Sequence, residues 1–365
     1  MRAAFYSPFV AASDDAPSGA QQMASLFVRA LEGAALDVTR PDLPTTYDGR
    51  GDAAAQAAAR QSSDEAATRY LAQVSTGDLP KPDLWFSYHV YYKSPDWIGP
   101  AVARALSIPY VIAEGSHAPK RKGGPWALSH DAATDALSAA SLLLAMTAFD
   151  RVCLEWINPS RVQDFRPFID ASTLLCVDRM PGGPSLRLVA IAMMRNERKR
   201  DSYRLLADAM RLARHVPLTL KVAGDGRFRP EVEGFFHGLP RTQSVAFLGA
   251  VDRTRLPNLL ANADVLAWPG IGEAYGLAYL EAQAAGLPVV AFRERGVVDV
   301  TADGHTALLS DAGDAAGLAA AIEQLARDTT LRQTMSEKAR AFVAQERSLG
   351  AASERLRLLI SEIRR

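Results

Sequence analysis

Short apolar runs alternate with helical patterns along the first part of the chain. The apolar runs predict buried strands at residues 3–6, 37–39, 83–88 and 110–113. The segments between them predict helices at 20–31, at 52–75 and from near Pro100. Alternation of strands and helices is typical of a parallel sheet that is covered on both faces.

The alternation breaks at residues 165–187, where Arg-Pro-Phe-Ile-Asp and Pro-Gly-Gly-Pro interrupt the pattern. A second alternating series follows this break. It predicts strands at 186–192, 218–223, 244–248, 265–268 and 289–292, and helices at 202–212 and 351–363. Two strand–helix domains in series, facing each other, would form a cleft that holds ligands beyond the carboxyl ends of their strands.

Composition and charge narrow the classes of function. The chain has 365 residues with 41 basic and 41 acidic side chains, so its net charge is zero and gives no support for bulk nucleic-acid binding. Its two cysteines, Cys153 and Cys176, form no zinc-binding spacing. The most apolar stretch, 137–149, is too short to cross a bilayer, and the first residues contain no long apolar leader. We therefore expect a cytoplasmic protein.

The strongest chemical signal is the stretch WPGIGEAYGLAYLEAQAAGLPVVAF at 268–292. A strand ends at its start, a loop carries Glu273, and Gly276 precedes a helix that begins near Leu277. The unpaired N–H groups at a helix start suit a diphosphate. Glu281 lies one turn inside this helix, where its carboxylate can accept hydrogen bonds from a vicinal diol such as ribose.

This stretch resembles the family 4 (group 1) glycosyltransferases of the GT-B fold, whose hallmark is two glutamates separated by seven residues. The resemblance implies that Glu273 contacts the donor sugar and that Glu281 contacts the ribose. It also implies that backbone amides of Tyr275, Gly276 and Leu277 meet the diphosphate.

Further segments of the second half are similar to the same family. Val-Ala-Gly-Asp-Gly at 222–226 matches it and makes Gly224 a donor-site candidate, and Phe-Leu-Gly at 247–249 matches as well. The family's Gly-Gly pair before an acid appears here as Arg295-Gly296 followed by Asp299, which leaves open how this loop meets the sugar.

A basic cluster, Met-Arg-Asn-Glu-Arg-Lys at 194–199, follows the first strand of the second domain. Fixed cations at a strand end can stabilise the charge that grows on a leaving diphosphate without a metal ion. By resemblance, Arg195 and Lys199 perform this role. Their spacing is one residue shorter than the common pattern, so Arg198 or Arg200 could take the place of either.

The first half resembles the family less closely. Gly19 stands where the family often has a glycine loop that closes over the diphosphate. His117 follows a strand at the place of a family histidine near the donor sugar, and His89 is a second candidate at another strand end. The basic loop at 120–122 fits an acceptor phosphate, an anionic membrane surface or simply a solvated turn.

Together these features predict an α/β protein with two Rossmann-like domains facing across a cleft, as in the GT-B fold. We assign residues 1–166 to an acceptor-side domain, 167–186 to a linker and 187–347 to a nucleotide-sugar-binding domain. By resemblance, a final helix at 348–365 crosses back to the first domain. The donor site should lie mainly in the second domain.

The expected activity is that of a retaining, hexosyltransferase-like glycosyltransferase that moves a sugar from a UDP- or GDP-sugar to an acceptor hydroxyl. We expect no cofactor and no metal ion, since no Asp-x-Asp pair or other metal-binding cluster is present. The expected partners are the donor and an unidentified acceptor, with no nucleic acid; peripheral contact with the inner face of the membrane stays open. A non-hydrolysing sugar-nucleotide epimerase and an inactive nucleotide-sugar-binding protein are the alternatives.

Overall fold

The protein, seen in a computed structural model, is described over residues 1–9, 19–180 and 182–363. Its internal contacts divide it into two units of similar size. The first comprises Met1–Arg166 and Leu349–Arg365, and the second comprises Pro167–Ser348. Among the described residues, no helix is both long enough and apolar enough to cross a membrane.

The strands are β1 (Arg2–Tyr6), β2 (Asp37–Thr39), β3 (Leu84–Tyr88), β4 (Tyr110–Ala113), β5 (Leu142–Ala145), β6 (Val162–Asp164), β7 (Leu186–Ile191), β8 (Leu218–Ala223), β9 (Gln243–Phe247), β10 (Val265–Ala267), β11 (Val289–Phe292) and β12 (Ala307–Ser310). The α-helices are α1 (Gly19–Gly33), α2 (Ala53–Thr76), α3 (Ile98–Leu106), α4 (Ala127–Ala139), α5 (Ala148–Glu155), α6 (Glu197–Leu212), α7 (Arg229–Phe235), α8 (Leu256–Ala261), α9 (Leu277–Ala284), α10 (Arg295–Val300), α11 (Ala315–Arg327), α12 (Thr329–Phe342) and α13 (Leu349–Glu362).

The first unit is built on a parallel sheet in the order β2-β1-β3-β4-β5-β6. Residues in β3 and β4 are buried throughout, as expected for central strands that carry helices on both faces. The apolar stretch at 137–149 supplies the end of α4, the whole of β5 and the start of α5. Strands β5 and β6 were absent from the predicted series and are additions to it.

Helix α13 packs against α1 within the first unit. The approach is close at Gly33, where an added Cβ would lie 2.4 Å from Ser353 Oγ. Ser353, Leu356 and Ile360 are buried on the inner side of α13. The first unit therefore takes its last helix from the far end of the sequence.

The second unit carries a parallel sheet in the order β12-β11-β10-β7-β8-β9. Its first three strands in sequence run outward in one direction from β7, and the next three run outward in the other direction from β10. This is the Rossmann strand order, in which ligands bind beyond the carboxyl ends of the strands where the order reverses. That position lies between β7 and β10, which pair directly.

Residues 168–177, just before β7, are packed into the second unit. Phe168, Ile169 and Leu174 are buried, and Ile169 N donates to Arg347 O at 2.9 Å. The Arg340 guanidinium donates to the Leu175 and Val177 carbonyls at 3.0 and 2.6 Å.

Candidate functional site

Two loops meet beyond the carboxyl ends of β7 and β10. The first runs from Ala192 to the start of α6, and the second runs from Trp268 to the start of α9. Ser202 in the first turns of α6 accepts a hydrogen bond from Ile271 N at 3.1 Å and so fixes the second loop to the first helix. In sheets with this strand order, ligands bind at this position.

Glu273 and Lys199 form an ion pair between these two loops. Only 25% of the Lys199 side chain and 14% of the Glu273 side chain are exposed, so water screens the attraction between them less than in a surface pair. Trp268 Nε1 donates to the same Glu273 oxygen at 3.1 Å, and Lys199 Nζ lies 5.6 Å from the Trp268 ring centroid. Carboxylate, ammonium and indole thus form one cluster.

Local sequence holds each member of this cluster in place. Asn196 caps α6 because its side chain accepts from Lys199 N at 3.0 Å, which sets Lys199 in the first turn. Trp268 packs edge-on against Tyr203, with ring centroids 4.7 Å apart. The buried Tyr279 hydroxyl donates to Trp268 O at 3.1 Å.

Helix α9 begins immediately after Gly276. Gly276 has φ of +67°, a left-handed conformation, and an added Cβ would lie 2.7 Å from the Tyr279 ring; both facts favour glycine here. Tyr275 and Leu277 on either side are buried. The opening N–H groups of an α-helix have no acceptor inside the helix, so this start offers donors to an anion.

Glu281 lies one turn further along α9 and is largely buried. Its Oε1 accepts from Arg253 Nη2 at 3.1 Å, although 62% of the Arg253 side chain is exposed. An exposed arginine moves at little cost, so the carboxylate can exchange this partner for the hydroxyls of a ligand.

Two glycines let backbone segments approach each other around the site. A Cβ on Gly296 in α10 would lie 2.0 Å from Ala274 O, so α10 rests directly on the loop before α9. A Cβ on Gly224 would lie 1.9 Å from Ala192 O. Gly224 therefore has a packing function beside the loop that leads to Lys199, and its contact with a donor stays a prediction.

The other basic residues of the cluster at 194–199 and just after it differ in their surroundings. Among the described residues, the exposed Arg195 side chain forms no ion pair. Arg198 packs across Gly272, whose added Cβ would lie 2.5 Å from Arg198 Cδ. Arg200 is paired with Asp201 at 3.0 Å and lies over the Phe228 ring. Arg198 therefore lies against the loop that carries Glu273.

The candidates of the first half belong to the first unit. Gly19 is the first residue of α1, and its neighbours Pro17 and Ser18 lie outside the described residues. His117 lies with its ring centroid 5.3 Å from that of His130. Burial, and then the nearby His130, lower the pKa of the His117 imidazole. The structure does not bring Gly19 and His117 into contact with each other.

His89 occupies a strained position at the end of β3. Its φ is +66°, which is rare for a residue with a side chain. Its ring stacks on Phe9 with centroids 4.6 Å apart, and its Nδ1 lies 3.6 Å from Glu114 Oε1. Glu114, at the end of β4, also has a positive φ of 55°. Strained backbone of this kind is often found at functional sites.

Sequence reasoning missed two residues of the second unit's site. Trp268 was identified only as the end of a strand, and its indole N–H bond to Glu273 has no signature in the local pattern. Arg253 is 28 positions from its partner Glu281, with no motif linking them. Over residues 1–9, 19–180 and 182–363, no three His, Cys, Asp or Glu side chains gather as a metal-binding group; activity without a metal ion remains a prediction.

Part of the chain is similar to a known protein family and to curated proteins. The family described as "Glycosyl transferases group 1" matches residues 185–328. The lipopolysaccharide core biosynthesis glycosyltransferase LpsE of Rhizobium meliloti is 31% identical over 185 residues, which cover 51% of this chain and 53% of that protein. The chain thus spans about half the length of this curated relative.

Two solved structures are similar over almost the whole chain. Anabaena HepE in complex with UDP has a TM-score of 0.70 at 16% identity, covering 99% of this chain and all of that one. A Rickettsia africae glycosyltransferase has a TM-score of 0.73 at 13% identity, covering 100% of this chain and 98% of that one. This likeness confirms the α/β, two-domain GT-B fold. The match over residues 185–328 shows that this part of the second unit is similar to the group 1 glycosyltransferases.

Proposed function

We propose that this chain is a retaining glycosyltransferase that transfers a sugar from a UDP- or GDP-sugar to an acceptor hydroxyl without a metal ion. The donor would bind at the reversal point of the second sheet, against the start of α9. Anabaena HepE, which shares the fold, has been crystallised with UDP and with UDP-glucose. That observation makes UDP-sugars the first donors to test.

The contact between Lys199 and Glu273 is the observation that carries this proposal. In a sugar nucleotide, only one oxygen separates the anomeric carbon from the phosphorus. A cation that offsets phosphate charge and a carboxylate that orients the sugar must therefore lie within a few ångströms of each other. Lys199 and Glu273, which are 74 positions apart in sequence, are in direct contact.

Each residue of the site would have a distinct task. The amides of Tyr275, Gly276 and Leu277 and the dipole of α9 would bind the diphosphate. Glu281 would accept hydrogen bonds from the ribose hydroxyls in place of Arg253. Since an ammonium group has three donors, Lys199 could keep its bond to Glu273 and donate to the phosphate as well.

The proposed transfer needs no nucleophile from the protein. The bond from the anomeric carbon to the phosphate oxygen breaks while the acceptor oxygen bonds to the same face of the sugar. The acceptor's proton passes to the leaving phosphate. Lys199 and Arg195 offset the negative charge that develops on that phosphate, and Glu273 holds the sugar in position. That His117 and Gly19 of the first unit take part in the reaction stays a prediction from the resemblance.

The experiment compares Glu273→Gln with the wild type and with a control, Glu337→Gln. Glu337 is an exposed glutamate on α12. Donor turnover would be followed by release of nucleotide from UDP-glucose and GDP-mannose with simple sugar acceptors. Loss of one positioned group in an active site reduces turnover about 10²–10³-fold. We expect that loss in Glu273→Gln, unchanged circular dichroism, and wild-type rates in the control.

Product analysis separates the proposal from its alternatives. When the donor is α-linked, NMR should show an α-linked product if configuration is retained. A β-linked product would contradict retention. Conversion of the donor into another sugar nucleotide with no acceptor present would indicate an epimerase. Stabilisation by the donor with no nucleotide release under any condition would indicate a binding protein.

A further inference from the structure

Two loops of the first unit meet beyond the carboxyl ends of β3 and β4. Residues 89–97 follow β3, and residues 114–126 follow β4. His89 N donates to Ala113 O at 2.9 Å and Ser116 N donates to Val90 O at 3.0 Å, so the two loops are bonded to each other. Ligands of open parallel sheets bind at this edge.

Two aromatic rings and two cations cluster at this junction. The rings of Tyr92 and Trp126 lie edge to face with centroids 5.5 Å apart. Lys93 Nζ lies 5.9 and 5.4 Å from the centroids of these rings, and Arg121 Cζ lies 5.2 and 4.9 Å from them. We call Tyr92, Lys93, Arg121 and Trp126 the cation–aromatic site.

The two cations have no anionic partner in the part of the chain that the structure describes. Neither Lys93 nor Arg121 lies within ion-pair distance of a carboxylate there, and Arg121 Nε is buried with no hydrogen-bond acceptor. Two like charges over the same rings repel each other, and the rings offset only part of this repulsion. An anion that reached both cations would remove the repulsion and satisfy the buried N–H.

The nearby acid, Asp48, is fully occupied by its own loop. Its carboxylate accepts from the amides of Arg50, Gly51 and Asp52 and from Gln56 Nε2, at 2.7 to 3.0 Å. Burial acts to raise the pKa of Asp48, but these hydrogen bonds outweigh burial and hold that pKa below its ordinary value. The charge of the Asp48 carboxylate is therefore already compensated by these donors, all of which lie within eight residues of it.

The site is held in shape by contacts that do not involve a ligand. Asp48 N donates to Lys93 O at 2.8 Å, and Trp126 Nε1 donates to Asp48 O at 3.1 Å. Thr46 Oγ1 donates to Pro95 O at 2.7 Å in a buried position. These bonds join both loops to one turn, so an anion would meet loops and a Trp126 ring that are already positioned.

We infer that the cation–aromatic site binds the phosphate group of a phosphorylated polyol ring, which serves as the acceptor. This inference rests on the proposed function. A phosphate carries up to two negative charges near neutral pH and matches two cations, and the planar guanidinium of Arg121 can bind two of its oxygens. The faces of Tyr92 and Trp126 offer apolar surface to the C–H groups of the ring. The same chemistry occurs in a soluble sugar phosphate and in an inositol lipid headgroup.

The test measures binding of defined probes to the full chain. Isothermal titration would use glucose, glucose 6-phosphate, glucose 1-phosphate, inositol 1-phosphate and inorganic phosphate. A second arm would use phosphatidylcholine vesicles with and without phosphatidylinositol. The variants are Lys93→Gln, Arg121→Gln and Arg121→Lys, and the control is Lys122→Gln, an exposed lysine on the same loop. Thermal unfolding confirms that each variant is folded.

We expect at least one phosphorylated ring to bind at least tenfold more tightly than glucose. Lys93→Gln and Arg121→Gln should each weaken that binding at least tenfold, Arg121→Lys less, and Lys122→Gln less than twofold. Binding only to inositol-lipid vesicles, with the same ranking of variants, would support the site and assign its ligand to a lipid.

Three results would overturn the inference: no binding in either arm, equal binding of glucose and its phosphates, or an equal loss in Lys122→Gln. Stabilisation of the wild type by UDP, measured separately, tests the proposed function. Failure of the donor site is thereby distinguished from failure of the cation–aromatic site.

Discussion

Replacing Gly296 by alanine sets two opposing effects against each other at the candidate site. Gly296 is the second residue of α10, where the preference for alanine over glycine is at most the value of about 1 kcal/mol found in helix interiors. The added Cβ, however, would lie 2.0 Å from Ala274 O, 2.3 Å from Ala274 C and 2.6 Å from Tyr275 N. Because the obstacle is backbone, it cannot be relieved by rotating a side chain.

The steric effect should win. Carbon contacts are favourable at roughly 3.5–4.0 Å, so α10 or the 274–275 backbone must move by at least about 1 Å. Overpacking of this kind costs about 1–3 kcal/mol and can cost more where the backbone resists. Because backbone cannot rotate away, we take the upper part of that range, about 2–3 kcal/mol, and subtracting about 1 kcal/mol of helix preference leaves a net loss of about 1–2 kcal/mol. For a unit of this size, that corresponds to a fall of roughly 2–8 °C in Tm.

The same displacement should affect the start of α9. A shift of about 1 Å in groups that position a substrate can reduce turnover by about 10²-fold, although no functional side chain has been removed. Thermal unfolding with and without UDP, and donor turnover, measure both effects. The control is Gly234→Ala in α7, where an added Cβ meets nothing within 4 Å. The reasoning is refuted if Gly296→Ala is as stable and as active as Gly234→Ala.

Two further predictions concern ion pairs and protonation. Asp264 is buried and accepts from Arg179 and Arg187 at 3.0 and 2.8 Å, so Asp264→Asn should cost about 3–5 kcal/mol in urea unfolding at pH 7. Despite its burial, these arginines lower the pKa of Asp264; its contribution is therefore present above the unfolded pKa near 3.9 and is lost as pH falls below it. An equal gap between variant and wild type at pH 7 and pH 3 would contradict this account. Burial and then His130 lower the pKa of His117 in the folded chain. As pH falls, the unfolded chain therefore protonates this imidazole before the folded chain does, so the free energy of unfolding should decrease below about pH 6.5. His117→Gln should show a smaller fall in Tm from pH 7.5 to pH 5, and identical falls would count against a depressed pKa.

Where glycine, proline or polar residues clearly bound an apolar run, the predicted element matches the structure. The strands predicted at 110–113, 218–223 and 289–292 agree residue for residue with β4, β8 and β11, and β2 begins at the predicted residue, Asp37. Strand β5 was missed because its residues, Leu142–Ala145, lie in one apolar stretch with the buried end of α4. No glycine or proline separates the two, so periodicity alone cannot divide them.

Edge strands and the first residues of helices were harder to predict from the sequence for a related reason. Strand β12 is an edge strand whose last three residues are only half buried, so it lacks a continuous apolar run. Helix α6 begins at Glu197, five residues before its predicted start, because its first turn is polar and its cap, Asn196, resembles any loop residue.

The candidate site could be located from sequence but not assembled from it. Resemblance of two separate motifs, each following a strand, identified Glu273 and Lys199 one at a time. Their contact depends on β7 and β10 being neighbours, which is a property of strand order and not of local pattern. The same holds for Arg253 and Glu281, which meet only because separate elements converge on one edge of the sheet.

The pairing of α13 with α1 has a consequence for synthesis of the protein. Residues 1–166 leave the ribosome long before Leu349–Glu362, which cover α1 in the same unit. At roughly 5–20 residues per second, the intervening residues take on the order of 10–35 s to translate. During this interval the nascent first unit exposes apolar surface that its own final helix will later bury.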